Sequence, residues 1–404
     1  MKPIVLIIGT EIPQLKKLSD TFSFIYRPAD ISLSPEKLTR LLVKEIKKKY
    51  PEVQAVLGTL DYPSIIAAMV AKELGLPGPT PRSIFLAQNK ALFTPLAGKH
   101  HTYFPKTEIL NIKKGKPSIS YPVFIRPIKG SFSAFSYKID SEKEFSEIRK
   151  TILKTKRDIK QFERFFQMFD KKIKNLKDWY IVQEYINFKQ YTLDGFTQDN
   201  KLSILGITES IYTPDRKSFK RFDFPSKIPD KSYKKLQKIL NGVLSEMKYS
   251  EGCFNLEFFI LPDGNISMIE LNTRISPGFA NLYSQVYKTP LLKIAIDVAR
   301  GNHPDLTMLE KPRYASSFPL RVIGDHLVQK VPSDDEIEKL KIKFDILSIK
   351  IDFKVGMKLS DKQQDAYSFR YGIVDIAGKS HGEILRKFSD LVKNLNVQLK
   401  PIKK

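Results

Sequence analysis

The sequence predicts a mixed α/β and α+β protein, with a parallel α/β unit first, a mainly antiparallel middle and a small carboxyl-terminal lobe. Three observations predict it. Over roughly the first 90 residues, short apolar runs alternate with helical patterns, as in a parallel sheet with crossover helices. From about residue 120 onward, strand-like runs follow one another across turn signals. The chain has 404 residues, 42 % of them apolar, which suits two or three globular domains.

The elements follow in order. "KPIVLIIGT" reads as a buried first strand and a turn. "SPEKLTRLLVKEIKKKY" has a cap at Ser34 and Pro35, then helical periodicity. "VQAVLGT" is a second buried strand, and "YPSIIAAMVAKELGLPG" a helix closed by Gly75 with Pro77 beyond it. "YPVFIRP" and "YKI" read as strands around a polar loop. "WYIVQEYI" and "YTLDGFTQDNKLSILGITESIY" read as antiparallel strands that turn at Gln198-Asp199-Asn200. "SYKKLQKILNGVLSEM" is a helix, and "TPLLKIAIDVARG" another that Gly301 closes. The tail holds strands near "FDILSIKIDF" and "YSFRYGIVDIAG" and a final helix "HGEILRKFSDLVKNL".

Composition excludes several classes. The lone cysteine, Cys253, permits no internal disulfide, reads as core and fits a reducing cytoplasmic setting. The run Ile4 to Ile8 is too short for a signal h-region, and no membrane span is evident. Net charge is +24, which raises the question of a polyanion partner. The basic residues are scattered, however, so no nucleic-acid partner is expected. The densest run, Lys150 to Lys177, carries Ile152, Leu153, Ile159, Phe162, Phe165, Phe166, Phe169 and Ile173 at helical spacing, which predicts an amphipathic basic helix. The first domain lacks GxGxxG, the five histidines show no zinc spacing, and His100-His101 reads as a loop. No Ser/His/Asp or Cys/His set stands out.

"FNLEFFILPDGNISMIELNTRISPG" is the informative stretch. Asp263-Gly264 is a hairpin signal, and a two-residue turn there sets Pro262 against Asn265. Counting back pairs Glu257 with Glu270 and Asn255 with Asn272. Side chains alternate along strands. One face then carries Asn255, Glu257, Glu270, Asn272 and Arg274, and the other Phe254, Leu256, Phe258, Ile260, Ile269 and Leu271. Cross-strand Cβ atoms lie roughly 5 Å apart, and like charges placed there repel. A divalent cation between them reverses the sign, and oxygen-only donors suit magnesium or manganese. Two plainer arrangements satisfy the same pattern: glutamates facing water, or glutamates neutralised by Arg274.

Two further stretches matter by their order. In "YPVFIRPIKGSFSAF", Arg126 ends a strand and a loop with Gly130, Ser131 and Ser133 follows. Amides and hydroxyls there are able to wrap phosphate oxygens, with the arginine as a charged fork. In "IVQEYINFKQYTLDGF" a strand runs into a short linker and a second strand.

A strand-end arginine, a phosphate-type loop, a Gln-Glu strand and a Glu…Glu-x-Asn-x-Arg hairpin, in this order, resemble the ATP-grasp superfamily. The likeness covers about residues 50 to 300, and within the superfamily is nearest the carboxylate–amine ligases that include amino-acid and dipeptide ligases. It implies an ATP-grasp fold with a pre-grasp domain over 1–88, a grasp domain over 89–303 with a lid near 115–186, and a lobe over 304–404. It implies ATP with magnesium, manganese as a substitute, held by Glu257, Glu270 and Asn272. Arg274 matches an arginine on the transferred phosphoryl group or substrate carboxylate. Arg126 and Lys90, the latter in "AQNKALF", match phosphate-binding positions, Gln183, Glu184, Tyr185 and Ile186 the adenine hinge, and Gln190 a ribose-binding glutamate. The implied reaction joins a small-molecule carboxylate to an amine through an acyl phosphate, releasing ADP and phosphate. Alternatives are a carboxylase or kinase on the same scaffold, or a nucleotide-binding protein without catalysis. Family members often dimerise, so the resemblance admits a homodimer. Departures are Phe132 and Phe135 at usually small positions, Phe188 in place of glycine, uncharged Gln190, and Thr273 where proline is usual. Arg216, Lys217, Lys220 and Arg221 stand in a loop near the acceptor site of relatives, where they would favour an acidic substrate or simply face solvent.

Overall fold

The computed structural model describes every residue except 101, 102, 131–133, 156, 363, 366, 403 and 404. The amino end folds as the parallel α/β unit that the alternation predicts, with one strand more, Ser23–Arg27, lying in chain order between the two read from the sequence. Ile4–Ile8 is the middle strand of a three-stranded parallel sheet, between Ser23–Arg27 and Val53–Gly58. The helix Pro35–Lys49 starts where Ser34 Oγ accepts the Lys37 N–H at 3.3 Å. The helix Asp61–Leu74 ends on Gly75 at φ +69°, a left-handed stop that glycine adopts without a Cβ clash.

The middle and the tail share one sheet. Eight antiparallel strands run in the order Ile266–Asn272, Gly252–Ile260, Lys189–Gln198, Lys201–Tyr212, Phe219–Phe224, Tyr314–Val322, Phe369–Gly378 and Ile346–Ile351. The carboxyl-terminal strands thus extend the hairpin's own sheet. Asp199 and Asn200 turn between two of them at φ +50° and +58°, a conformation these residue types tolerate. Under the hairpin, the helix Asp230–Met247 contributes Leu236, Leu240 and Val243 to a core with Phe254, Leu256, Phe258 and Leu271.

A separate four-stranded antiparallel sheet, ordered Thr107–Asn111, Trp179–Glu184, Val123–Pro127, Tyr137–Ile139, covers the other side of the cleft. Here one expectation is corrected. The basic stretch from Lys150 to Lys177 is not one helix. The helix Glu142–Lys154 buries Phe145 and Ile152 against this sheet. A break follows, then a short helix Lys160–Gln167 whose Phe162, Phe165 and Phe166 join the core of the amino-terminal unit beside Ile65, Ile66 and Phe85. The apolar spacing was helical on both sides of the break, but the two halves pack on different partners.

Candidate functional site

The hairpin forms with Glu257 opposite Glu270 and Asn255 opposite Asn272. It reaches that register by a different route from the two-residue turn. The loop is Leu261 to Asn265, closed by Leu261 N–H to Asn265 O at 2.9 Å and Gly264 N–H to Leu261 O at 2.8 Å. Ile260 therefore faces Ile266, one residue off the expected pairing, and a bulge at Ile269 restores it. The bulge also corrects the face of Ile269. It lines the cleft rather than the core, and its carbonyl accepts from Arg126 Nη2 at 3.0 Å.

Cations crowd the two carboxylates. Lys90 opens the helix Lys90–Gly98 and sets Nζ 2.7 Å from Glu270 Oε2. Arg126, buried in the strand Val123–Pro127, also donates to Gln183 Oε1 at 2.8 Å, while its Nε has no partner among the described residues. Burial pushes the Arg126 guanidinium below its usual pKa, against the pull of Glu270 and Glu257. Glu257 is pushed up, first by burial and then by the charge of Glu270. Burial works on Glu270 in the same sense, but Lys90 and Arg126 outweigh it and hold that carboxyl low. The pair is therefore asymmetric, with one carboxylate matched by lysine and the other short of positive charge.

Gln190 Nε2 donates to Glu257 Oε2 at 3.0 Å, and its carbonyl takes the Tyr212 hydroxyl. Asn272 Nδ2 donates to Glu270 Oε1 at 3.3 Å. Arg274 Nε lies 2.9 Å from Asp61 Oδ1, and Lys129 Nζ lies 2.7 Å from Asp61 Oδ2. Asp61 and Lys129 escaped the sequence reading. Asp61 looks like an ordinary first-turn carboxylate of a helix, and Lys129 is one of 68 Lys and Arg residues. The signal was position: Lys129 directly precedes the glycine of the phosphate-type loop, and is only 3 % exposed.

One cleft of about 390 Å³ gathers these groups. Lys90, Arg126, Gln183, Glu184, Tyr185, Ile186, Gln190, Glu257, Glu270, Asn272 and Arg274 all line it, with Asp61. Ser131 and Ser133, with Phe132, lie outside the described residues. Gln183 does not present its side chain freely, because it is engaged by Arg126 and donates to Thr107 Oγ1 at 3.1 Å. Glu184 takes the Tyr103 hydroxyl. His100 lies away from these groups, its Nε2 2.8 Å from Glu246 Oε2, and His101 is outside the described residues.

The family model described as the ATP-grasp domain matches residues 119–281. Those residues are similar to an ATP-grasp domain. Solved structures share the fold along nearly the whole chain. An L-amino acid ligase from Bacillus licheniformis superposes with a TM-score of 0.76 at 16 % identity, covering 98 % of each chain. A carboxyaminoimidazole ribonucleotide synthase from Aspergillus clavatus, complexed with ATP, gives 0.66 at 14 % identity over 97 % of this chain and 98 % of that one. A phosphoribosylglycinamide synthetase from Anaerococcus prevotii gives 0.62 at 15 % identity over 99 % and 100 %. At these identities the likeness is one of fold. No curated protein matches the chain in sequence.

Two departures within the ATP-grasp domain have a physical reading. Thr273 accepts from Gln88 Nε2 at 2.9 Å and sits 3.1 Å from Ser64 Oγ, so its hydroxyl ties the hairpin's end to the amino-terminal unit. Phe135 stands at φ +59° with its ring beneath Arg157, 5.2 Å away. That backbone costs a bulky residue about 1–2 kcal/mol, which the contact with Arg157 offsets in part. The donor set fits a hard cation: two carboxylates face each other with an amide beside them, and the carboxylate short of positive charge is the one without a lysine. No helix among the described residues is long and apolar enough to cross a membrane.

Proposed function

We propose that the protein is an ATP-dependent carboxylate–amine ligase. The observation that carries this reading is the convergence of opposed Glu257 and Glu270, Lys90, Arg126 and Arg274 on one cleft. ATP phosphates and a substrate carboxylate are all anions, and this cleft supplies fixed positive charge where they would meet. Lys90 and Arg126 hold the phosphates. Arg274, oriented by Asp61, receives the substrate carboxylate or the transferred phosphoryl group. Tyr185, Ile186 and the strand before them border the nucleobase, and Gln190 serves the ribose. Glu257, Glu270 and Asn272 hold magnesium, which supplies further charge neutralisation when bound.

The carboxylate oxygen attacks the γ-phosphorus in line, and the bond to the bridging oxygen breaks to release ADP. The amine then attacks the acyl carbon, phosphate leaves with the carbon–oxygen bond pair, and the amine's proton passes to solvent. The same reading assigns a pre-grasp domain to 1–88, the grasp domain to 89–303 with the lid near 115–186, and a lobe to 304–404. Its partners are small-molecule acids and amines.

Hydroxylamine trapping tests it. The protein is incubated with MgATP, hydroxylamine and pools of amino acids and small acids. Hydroxamate with equimolar ADP is expected, and loss of both in Glu270→Ala. ADP formed with neither hydroxamate nor free phosphate would identify a kinase instead.

A further inference from the structure

Besides the bond that Arg126 makes across the cleft to the Ile269 carbonyl, the sheet above the cleft is held at both rims, and the two holds differ in kind. On the amino-terminal side, the helix Lys160–Gln167 buries Phe165 and Phe166 completely in the neighbouring unit's core. Arg164 Nη1 adds bonds to the carbonyls of Ile31, Ser32 and Leu33 at 3.1 to 3.3 Å. On the opposite rim the hold is Tyr367, from the carboxyl-terminal lobe. Its hydroxyl accepts the Lys138 N–H at 2.8 Å and donates to the Lys138 carbonyl at 3.2 Å. Its ring meets Tyr137 edge-on at 5.9 Å.

The location gives these bonds meaning. Tyr137–Ile139 is the edge strand of the sheet. Lys138 turns both of its backbone groups outward, and a single phenol occupies the place of a missing strand partner. Side-chain contacts fix the backbone of Tyr367 and Ser368. Asp365 Oδ1 accepts the N–H of Tyr367 at 3.1 Å and of Ser368 at 2.7 Å, and Oδ2 takes Arg321 Nη1. Ser368 Oγ also accepts from Arg321 at 2.9 Å and meets Ser218 Oγ at 2.8 Å. Lys138, Arg321, Asp365 and Tyr367 all line the same cleft as the candidate nucleotide residues.

We propose that Tyr367 is a positioning residue for the nucleotide: it clasps the edge of the lid sheet down over the cleft, and the Arg321–Asp365 pair sets the clasp. This rests on the nucleotide-binding reading above. Two fully buried phenylalanines outweigh two neutral hydrogen bonds several-fold. The sheet therefore pivots on its amino-terminal anchor and opens at Tyr367, which makes this rim the entrance and exit. Tyr367 and Asp365 act through the strand Tyr137–Ile139 and not by touching the reacting atoms.

The test uses the full chain and a fluorescent MgADP analogue in stopped flow. Tyr367→Phe keeps the ring contact and removes both hydrogen bonds. Nucleotide dissociation about tenfold faster is expected, with the thermal midpoint unchanged, and Asp365→Asn should move the same rate in the same direction by a few-fold. Hydrogen exchange on the free protein supplies a readout independent of nucleotide. The Lys138 amide should exchange about tenfold faster in Tyr367→Phe, while amides of the strand Trp179–Glu184 keep wild-type rates. Wild-type dissociation in Tyr367→Phe overturns the positioning role. Unchanged exchange at Lys138 overturns the clasp itself. A wild-type protein that binds no nucleotide refutes the nucleotide reading, and the exchange result then judges the clasp alone.

Discussion

The cleft is made by two regions of opposite mechanical character. The hairpin Gly252–Asn272 is one end of a continuous eight-stranded sheet, with its apolar face sealed by the helix Asp230–Met247. The four-stranded sheet opposite has its own small core and is joined to the rest through the buried aromatics of Lys160–Gln167, the contacts of Lys129 with Asp61 and of Arg126 with the Ile269 carbonyl, and, at its far edge, the phenol of Tyr367. Carboxylates that must hold a fixed spacing sit on the first. Arg126, proposed to meet a ligand that enters and leaves, sits on the second. On the reading proposed above, the division separates precision from access: charges that repel are fixed by a rigid ladder, and the cover over them is the part that opens.

Each half of that comparison is open to breakage. The largest effect belongs to the rigid half. Glu270→Ala should reduce ligase turnover by about 10³-fold, measured as hydroxamate formation, with the far-ultraviolet spectrum unchanged. Next comes the anchor of the four-stranded half. Phe166→Ala should cost about 3–5 kcal/mol in denaturant unfolding, because the ring is fully buried between two units. If the cost is under 1 kcal/mol, the helix Lys160–Gln167 is a loose appendage and the contrast fails. The hairpin's bulge makes a sharper test. Leu271→Ala should cost about 2–5 kcal/mol, whereas Ile269→Ala, facing the cleft, should cost less than half as much. Equal losses would mean a regular strand with Ile269 in the core.

The smallest effect is on pH dependence. Asp194 lies fully buried beneath the site, accepting the Ser276 N–H at 2.8 Å, and burial raises its carboxyl to about 6. A raised folded-state pKa means that the fold prefers the protonated form. The stability it contributes is full below about pH 4 and is lost as pH rises through about 6, by roughly 1–3 kcal/mol. Asp194→Asn should flatten that part of the melting-temperature profile. An unchanged slope would place the titration elsewhere.

Legibility followed the same division. The amino-terminal α/β unit and the hairpin were readable because alternation and turn chemistry are local. Even there two departures cancelled: the loop is longer than an Asp-Gly turn requires, and the bulge at Ile269 returns the lost residue. Nothing in "ISMIELN" marks a bulge, so Ile269 was placed in the core. The segment Lys150 to Lys177 shows the limit of periodicity. Its spacing revealed which side chains are apolar, but not that Ile152 and Phe166 belong to different cores. Asp61 stands 213 residues before Arg274, and only the fold could pair them. The strand Tyr314–Val322, which carries Arg321 and joins the lobe to the main sheet, went unread because its Ser, Pro and Arg residues interrupt the apolar pattern.

The central claim is that Glu257, Glu270 and Asn272 form a cation site built for a nucleotide's phosphates. Anomalous diffraction from crystals grown with manganese and a non-hydrolysable ATP analogue tests it most directly. The account predicts manganese peaks bonded to Glu257 and Glu270, with Asn272 beside them and Lys90 withdrawn from Glu270 towards the phosphates. A nucleotide bound in the cleft with both carboxylates free of metal, and Lys90 still paired to Glu270, would contradict it.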